Sequence, residues 1–149
     1  MKKIKDVKKY IDLLFKYRPR TRKEIYLRLK NMGFNEEEIK KEIERLEREG
    51  VIDDEKFARL FVIEEINKRP VSKDLLIEKL LKKGVTLETA KKVVEKEYDE
   101  DIILETSCKI LENFKRKGLT EENIYRYFLR RGFEKSFIEK ILFKGFNSL

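Results

Sequence analysis

The chain contains no histidine and no glutamine, only two prolines, six glycines and one cysteine among 149 residues. Each shortage excludes something. Without histidine there is no Ser/His/Asp or Cys/His nucleophile and no Cys/His zinc site, since the commonest general base and metal ligand is missing. Lone Cys108 cannot close an internal disulfide; its place in an apolar helical pattern makes it a buried structural thiol. So few prolines and glycines leave little to punctuate strands or long loops. No glycine-rich phosphate loop is present, neither GxGxxG nor a P-loop. No run approaches the roughly 18 apolar residues of a membrane span, and the opening segment MKKIKDVKKYIDLLFKY reads as a charged amphipathic helix rather than a signal peptide. A soluble, cytoplasmic, almost wholly helical protein is expected.

What is abundant is charge, at 44% of residues with a net +8, beside 40% hydrophobic residues that suffice for a core. The abundance of Lys, Glu and Ile is a bias of proteins from hot environments. The order within this composition is more telling. Gly33, Gly84 and Gly132 stand 51 and 48 residues apart and carry the same neighbours. Twelve residues before each stand Thr21, Ser72 and Thr120; eight before, Ile25, Leu76 and Ile124; four before, Leu29, Leu80 and Phe128. A hydroxyl, apolar residues at helical spacing and then glycine spell a helix with its N-cap and its left-handed terminator. Ile39, Ala90 and Ile138 open a second helix after the glycine, and Ile11, Val62 and Ile110, with Phe15, Ile66 and Phe114, share offsets in a helix before it.

The fold class that follows is all-α: three tandem three-helix, helix-turn-helix-like repeats over 1–50, 51–99 and 100–149, forming an elongated, curved array. Helices are predicted at 3–17, 21–32, 35–49, 54–68, 72–83, 86–98, 101–116, 120–131 and 134–144, around one continuous core. The carboxylates Asp53, Asp54 and Glu55 could be imagined around a magnesium ion. Asp101 shares the offset of Asp53, and acidic residues at both helix starts point instead to caps. No catalytic, metal or cofactor residue is assigned, and no enzyme activity is expected.

Residues 1–50 hold 16 basic and 10 acidic side chains, 51–100 hold 11 and 12, and 101–149 hold 10 and 7. Cations gather where the first helix of each repeat hands over to the second: Arg18, Arg20, Arg22 and Lys23; Lys68, Arg69 and Lys73; Lys115, Arg116 and Lys117. Cations there complement the dipole of the first helix, and the N-terminus of the second is a natural phosphate seat. Arg28, Lys79, Lys82, Arg126 and Arg130 are expected on the outer face of the second helices, with Tyr26, Tyr125 and Tyr127 at the margin. Aromatics among cations suit single-stranded nucleic acid, and equally the edge of a core. The third helices of the first two repeats are acidic or balanced, which disfavours base reading by a recognition helix. Backbone binding beside a protein partner fits both faces.

VIDDEKFARLFV, the preceding TRKEIYLRLKNMGFNEEEIKKEIERLEREG, and the later LIEKLLKKGV and YRYFLRRGF resemble the RecX family of recombination regulators over nearly the whole chain. The stretch Asp53 to Ala58 carries the most specific part of that resemblance. One departure is NKRPVSKDLL, where the family usually has glycine and arginines entering the second helix of the middle repeat. The resemblance implies a non-enzymatic modulator that lies along the RecA recombinase filament on single- or double-stranded DNA and limits its growth, strand exchange and ATP hydrolysis. Arg18, Arg20, Arg22, Lys23 and Arg28 at one end, and Arg116, Lys117, Arg126, Arg130 and Arg131 at the other, are the expected contacts, with Lys79 and Lys82 between them. Leu27 and Leu75 are candidates for protein contact. A monomer is expected, since no heptad is long enough to force a dimer. The alternative is a sequence-independent DNA-binding helical protein with no recombinase partner.

Overall fold

A computed structural model describes residues 4–147. Among them lie α1 (Ile4–Tyr17), α2 (Arg22–Asn31), α3 (Glu36–Arg48), α4 (Asp54–Lys68), α5 (Lys73–Lys82), α6 (Leu87–Glu97), α7 (Glu100–Arg116), α8 (Glu121–Arg130) and α9 (Lys135–Asn147). The predicted start at Lys3 lies outside the described residues. The local grammar of the sequence is realised atom by atom. Thr21, Ser72 and Thr120 cap α2, α5 and α8 by accepting the amides of Glu24, Leu75 and Asn123. Gly33, Gly84 and Gly132 take φ of +94°, +98° and +89°. Each lets the next amide turn back: Phe34, Val85 and Phe133 donate to Leu29, Leu80 and Phe128 at 3.2, 3.1 and 3.1 Å. That bond and the apolar residue making it are a Schellman close, and it sends the third helix back across the second.

The apolar faces do not merge into one core as the repeat pattern suggests. Val7, Ile11, Ile25, Leu29, Ile39, Ile43 and Leu46 of the first repeat form one cluster with Ile52 from the connection into α4. A second cluster runs through the other two, from Phe57, Val62 and Leu76 to Phe128 and Ile141. Helix α4 lies on both α6 and α7, which joins the second and third repeats. The accessible surface is 10194 Å². A compact chain of this mass exposes about 8,100 Å², so the excess of roughly a quarter marks an elongated array. Among the described residues no helix is long and apolar enough to cross a membrane.

Helix α7 departs from the expected register. Its cap is Asp99, which accepts the amides of Asp101 and Ile102, so the helix begins ahead of Asp101. The connection after α6 holds only Tyr98 and Asp99, whereas α3 and α4 are separated by Glu49–Asp53 with Gly50 in the left-handed region. Ile103, Ser107 and Leu111 face inward, leaving Ile110 and Cys108 half-buried. Ser107, not the cysteine, occupies the buried position, and its hydroxyl has no partner.

Candidate nucleic-acid and partner interface

Each repeat brings its cations to the elbow between its first two helices, and the side chains there fall into three groups. At the first elbow Glu24 draws in three arginines: Arg20 at 2.9 Å, Arg28 at 3.2 Å and Arg18 at 3.3 Å. Burial pushes the Glu24 carboxyl up, but Arg18, Arg20 and Arg28 together outweigh it and hold the group below its ordinary range. Arg28 also donates to the Tyr10 hydroxyl at 2.8 Å. Arg22 pairs with Glu47 at 2.8 Å, and its amide reaches Asp54 at 2.9 Å. Arg20 is only 8% exposed, with its Nε directed at the Leu14 carbonyl. It stands at the repeat offset of Val71 and Leu119, an apolar position, and so is drawn inward as an internal strut rather than presented as a surface contact.

The middle elbow is organised around Glu65. Lys79 approaches it at 4.0 Å, and burial lowers the ammonium's pKa, with the nearby cations Arg131, Arg69 and Lys68 lowering it further against the pull of Glu65. Arg131 comes from the third repeat. It is buried, donates from Nε to the Pro70 carbonyl at 2.8 Å, and leaves Nη2 without a partner. The expected surface role of Arg131 thus gives way to a structural one, because its side chain fills the seam between α4, α5 and α8. Lys79 and Arg131 both feel the Glu65 carboxylate here, with Arg69 as a nearby like charge. Lys82 is exposed and spans to Glu78 at 3.6 Å.

The third elbow is the most open. Arg116 and Arg126 reach Glu112 at 3.9 Å and Glu122 at 2.7 Å, both one helical turn away on their own helices. Lys117 and Arg130 are exposed and belong to no ion pair among the described residues, and the same holds for Lys23 in the first repeat. Exposed pairs of this kind contribute about 0–1 kcal/mol, so a phosphate can replace the carboxylate at little cost.

The aromatic and aliphatic candidates divide. Tyr127 packs edge-on against Phe114 and Phe128, at 5.0 and 5.3 Å between centroids, and Tyr26 donates to Glu36 with Lys30 over its ring. Both, with Tyr125, are half-buried core-edge residues. Leu27 is exposed as expected, but Leu75 is half-buried against the Gly132 turn. Around the acidic stretch, Asp53 caps α4 by accepting the Lys56 amide at 3.0 Å and Glu55 pairs with Lys92 at 3.1 Å. Burial raises the pKa of the Asp54 carboxyl. Among the described residues no group of three or more Cys, Asp or Glu side chains is placed to hold a metal ion. The roles missed by sequence reading, Glu24 and Glu65 as carboxylates that gather the cations, have no signature beyond their helix positions.

Comparison with known proteins agrees with this architecture. Residues 16–46 match the family model described as RecX, first three-helix domain. The regulatory protein RecX of Chlorobium phaeobacteroides strain BS1 is 33% identical, over 96% of this chain and 97% of its own. That of Thermotoga maritima is 35% identical over 88% of this chain and 79% of its own. The crystal structure of RecX from Lactobacillus salivarius superposes with a TM-score of 0.77 at 22% identity, covering 95% of this chain and 97% of that one.

Proposed function

The chain belongs to the RecX family of regulatory proteins, and on that premise we propose that it regulates the RecA recombinase, without a reaction of its own, by lying along the recombinase filament on DNA and inhibiting its activities. The observation that carries this reading is the cation surplus repeated at the elbows and along the second helices: three arginines on Glu24, Lys79 and Arg131 near Glu65, and Lys117 and Arg130 in no ion pair among the described residues. Spaced along an elongated array, such clusters suit a phosphate backbone read without regard to sequence. The contacts are Arg18, Arg22, Lys23 and Arg28 in the first repeat, Lys79 and Lys82 in the second, and Arg116, Lys117, Arg126 and Arg130 in the third. Arg20 and Arg131 position these clusters from within. The protein acts in the cytoplasm, and is a monomer in free solution.

The test is binding to RecA filaments assembled on single-stranded DNA, against equal naked DNA, across a salt series with ATP hydrolysis followed in the same samples. Tighter binding to the filament with falling hydrolysis supports a recombinase regulator. Equal binding to naked DNA, with hydrolysis falling only when DNA is limiting, sinks it in favour of a general DNA-binding protein. Charge reversal at Lys117 and Arg130 is expected to weaken binding on every sequence alike. It also flattens the logarithmic salt slope by about 0.7 for each single-strand phosphate no longer neutralised.

A further inference from the structure

Among the contacts that join adjacent repeats, one pairs the same two places twice, although the donor is a hydroxyl at the first and a backbone amide at the second. At the first, Thr21 is 2% exposed and its hydroxyl donates to the Lys83 carbonyl at 2.7 Å, while Lys23 covers Gly84 so closely that a Cβ there would lie 2.4 Å from the Cβ of Lys23. At the second, the Ser72 amide donates to the Arg131 carbonyl at 3.0 Å, and a Cβ on Gly132 would meet the Ser72 hydroxyl at 2.1 Å and Leu75 at 2.9 Å. In both, the capped N-terminus of one repeat's middle helix sits on the glycine turn that ends the middle helix of the next.

Two halves of this contact are left over. In the third repeat Thr120 is exposed, and Leu119 before it is 37% exposed where the equivalent Val71 is 0%. In the first repeat the Gly33 turn has the same left-handed backbone, and among the described residues nothing lies within 4 Å of a Cβ built on it. The leftover halves are therefore complementary in shape and sense, one a capped N-terminus and the other an uncovered turn. Joining Thr120 of one copy to the Gly33 turn of another repeats the internal geometry, leaves one free half at each end, and so builds an open row.

We propose that copies of this chain bound next to each other on one DNA strand touch head to tail, Leu119 and Thr120 of one against the Gly33 turn of the next. This rests on the DNA binding proposed above. The internal precedent between the first two repeats is a polar contact between separate apolar clusters, too small to offset the freedom given up when two free molecules associate. A shared strand removes most of that cost by raising the effective concentration of the neighbour. The contact then shows as cooperativity on DNA and not as a dimer in solution.

The full chain is titrated onto oligothymidylates of about 15 and about 60 nucleotides, which hold one and several copies. The expected result is affinity per copy about tenfold higher on the longer strand, abolished in Leu119→Gln, a neutral change at a partly exposed position, while affinity for the short strand is unchanged. A Leu119→Cys, Asn31→Cys, Cys108→Ser chain is expected to oxidise into disulfide-linked ladders on the long strand only. Equal affinity per copy on both lengths, or a neighbour preference that survives Leu119→Gln without ladders, overturns the head-to-tail contact. Failure to bind even the short strand overturns the DNA reading itself, so the two failures are told apart.

Discussion

Replacing each repeat glycine with alanine separates the backbone's demand for glycine from the packing that two of the three turns have acquired. At Gly33 the cost is that of holding a side chain at φ +94°, because none of the described residues lies within 4 Å of the added methyl; the left-handed region costs a non-glycine residue about 1–2 kcal/mol. Gly132→Ala bears the same backbone cost and also drives its Cβ to 2.1 Å from the Ser72 hydroxyl. That hydroxyl cannot swing away freely, since it accepts the Leu75 amide at 3.0 Å while the Ser72 amide is tied to the Arg131 carbonyl. Overpacking of this kind adds about 1–3 kcal/mol, for a total of about 2–5 kcal/mol. At roughly 2–4 °C per kcal/mol for a chain of this size, Gly33→Ala lowers Tm by only a few degrees and Gly132→Ala by up to about 20 °C. Gly84→Ala meets the Cβ and Cδ of Lys23 at 2.4 and 2.8 Å, and is expected to loosen the first repeat from the rest, seen as earlier proteolysis at that junction. Thermal unfolding by circular dichroism reads the comparison. Equal losses for Gly33→Ala and Gly132→Ala would refute the reasoning, because the backbone alone would then account for both.

Further outcomes follow from single buried groups. Thr21→Val removes both the cap on α2 and the hydroxyl bond to Lys83, and is expected to cost about 1–3 kcal/mol in urea unfolding. Ser107→Ala replaces a buried hydroxyl that has no partner with the best helix former, and should stabilise by about 1–2 kcal/mol; a destabilised variant would show that the hydroxyl is bonded in solution. Tyr98 donates to the Val71 carbonyl at 2.7 Å, and burial, with a smaller contribution from Glu100, raises its pKa well above the ordinary value. The folded chain then holds its phenolic proton more tightly than the unfolded one, so this contribution is complete below about pH 10 and lost as pH rises through the alkaline range. In alkaline titration Tyr98→Phe should start less stable and lose less; parallel curves would place the alkaline sensitivity elsewhere.

What the sequence discloses is what depends on neighbours a few residues away. A hydroxyl twelve residues before a glycine fixes both ends of α2, α5 and α8, because cap and terminator act on backbone groups of their own helix. Burial of charged residues depends on the other repeats and is written less plainly. Arg20 carries a clue, since its repeat offset is otherwise apolar, at Val71 and Leu119. Arg131 carries none: its offset holds Met32 and Lys83, and only the approach of Pro70 makes a buried guanidinium possible. The register of α7 escapes for a different reason. Anchoring on glycines extrapolates back from α8 to α7 through Gly118, which takes φ +77° at the offset held by Pro19 and Pro70 in the other repeats, so α7 enters its elbow with a different register.

The pairing of cations with carboxylates decides how the proposed contacts would register in an experiment. Lys23, Lys117 and Arg130 approach a phosphate with no ion pair to break among the described residues, so each adds nearly a full increment to the salt slope. Arg18, Arg28, Arg22 and Arg126 arrive with Glu24, Glu47 and Glu122 attached. Those carboxylates stay beside the strand and offset part of what their partners contribute. The slope therefore counts the surplus of cations and not their number. On this argument Glu122→Gln steepens the slope although it removes no cation, and Arg126→Gln alone flattens it less than Arg130→Gln does. The elbow around Glu24 behaves differently again, because three arginines already share one carboxylate and neutralising it would leave buried Arg20 without its ion pair. Glu24→Gln then costs stability as well as changing affinity, which separates the carboxylate that organises a basic surface from those that merely dilute it.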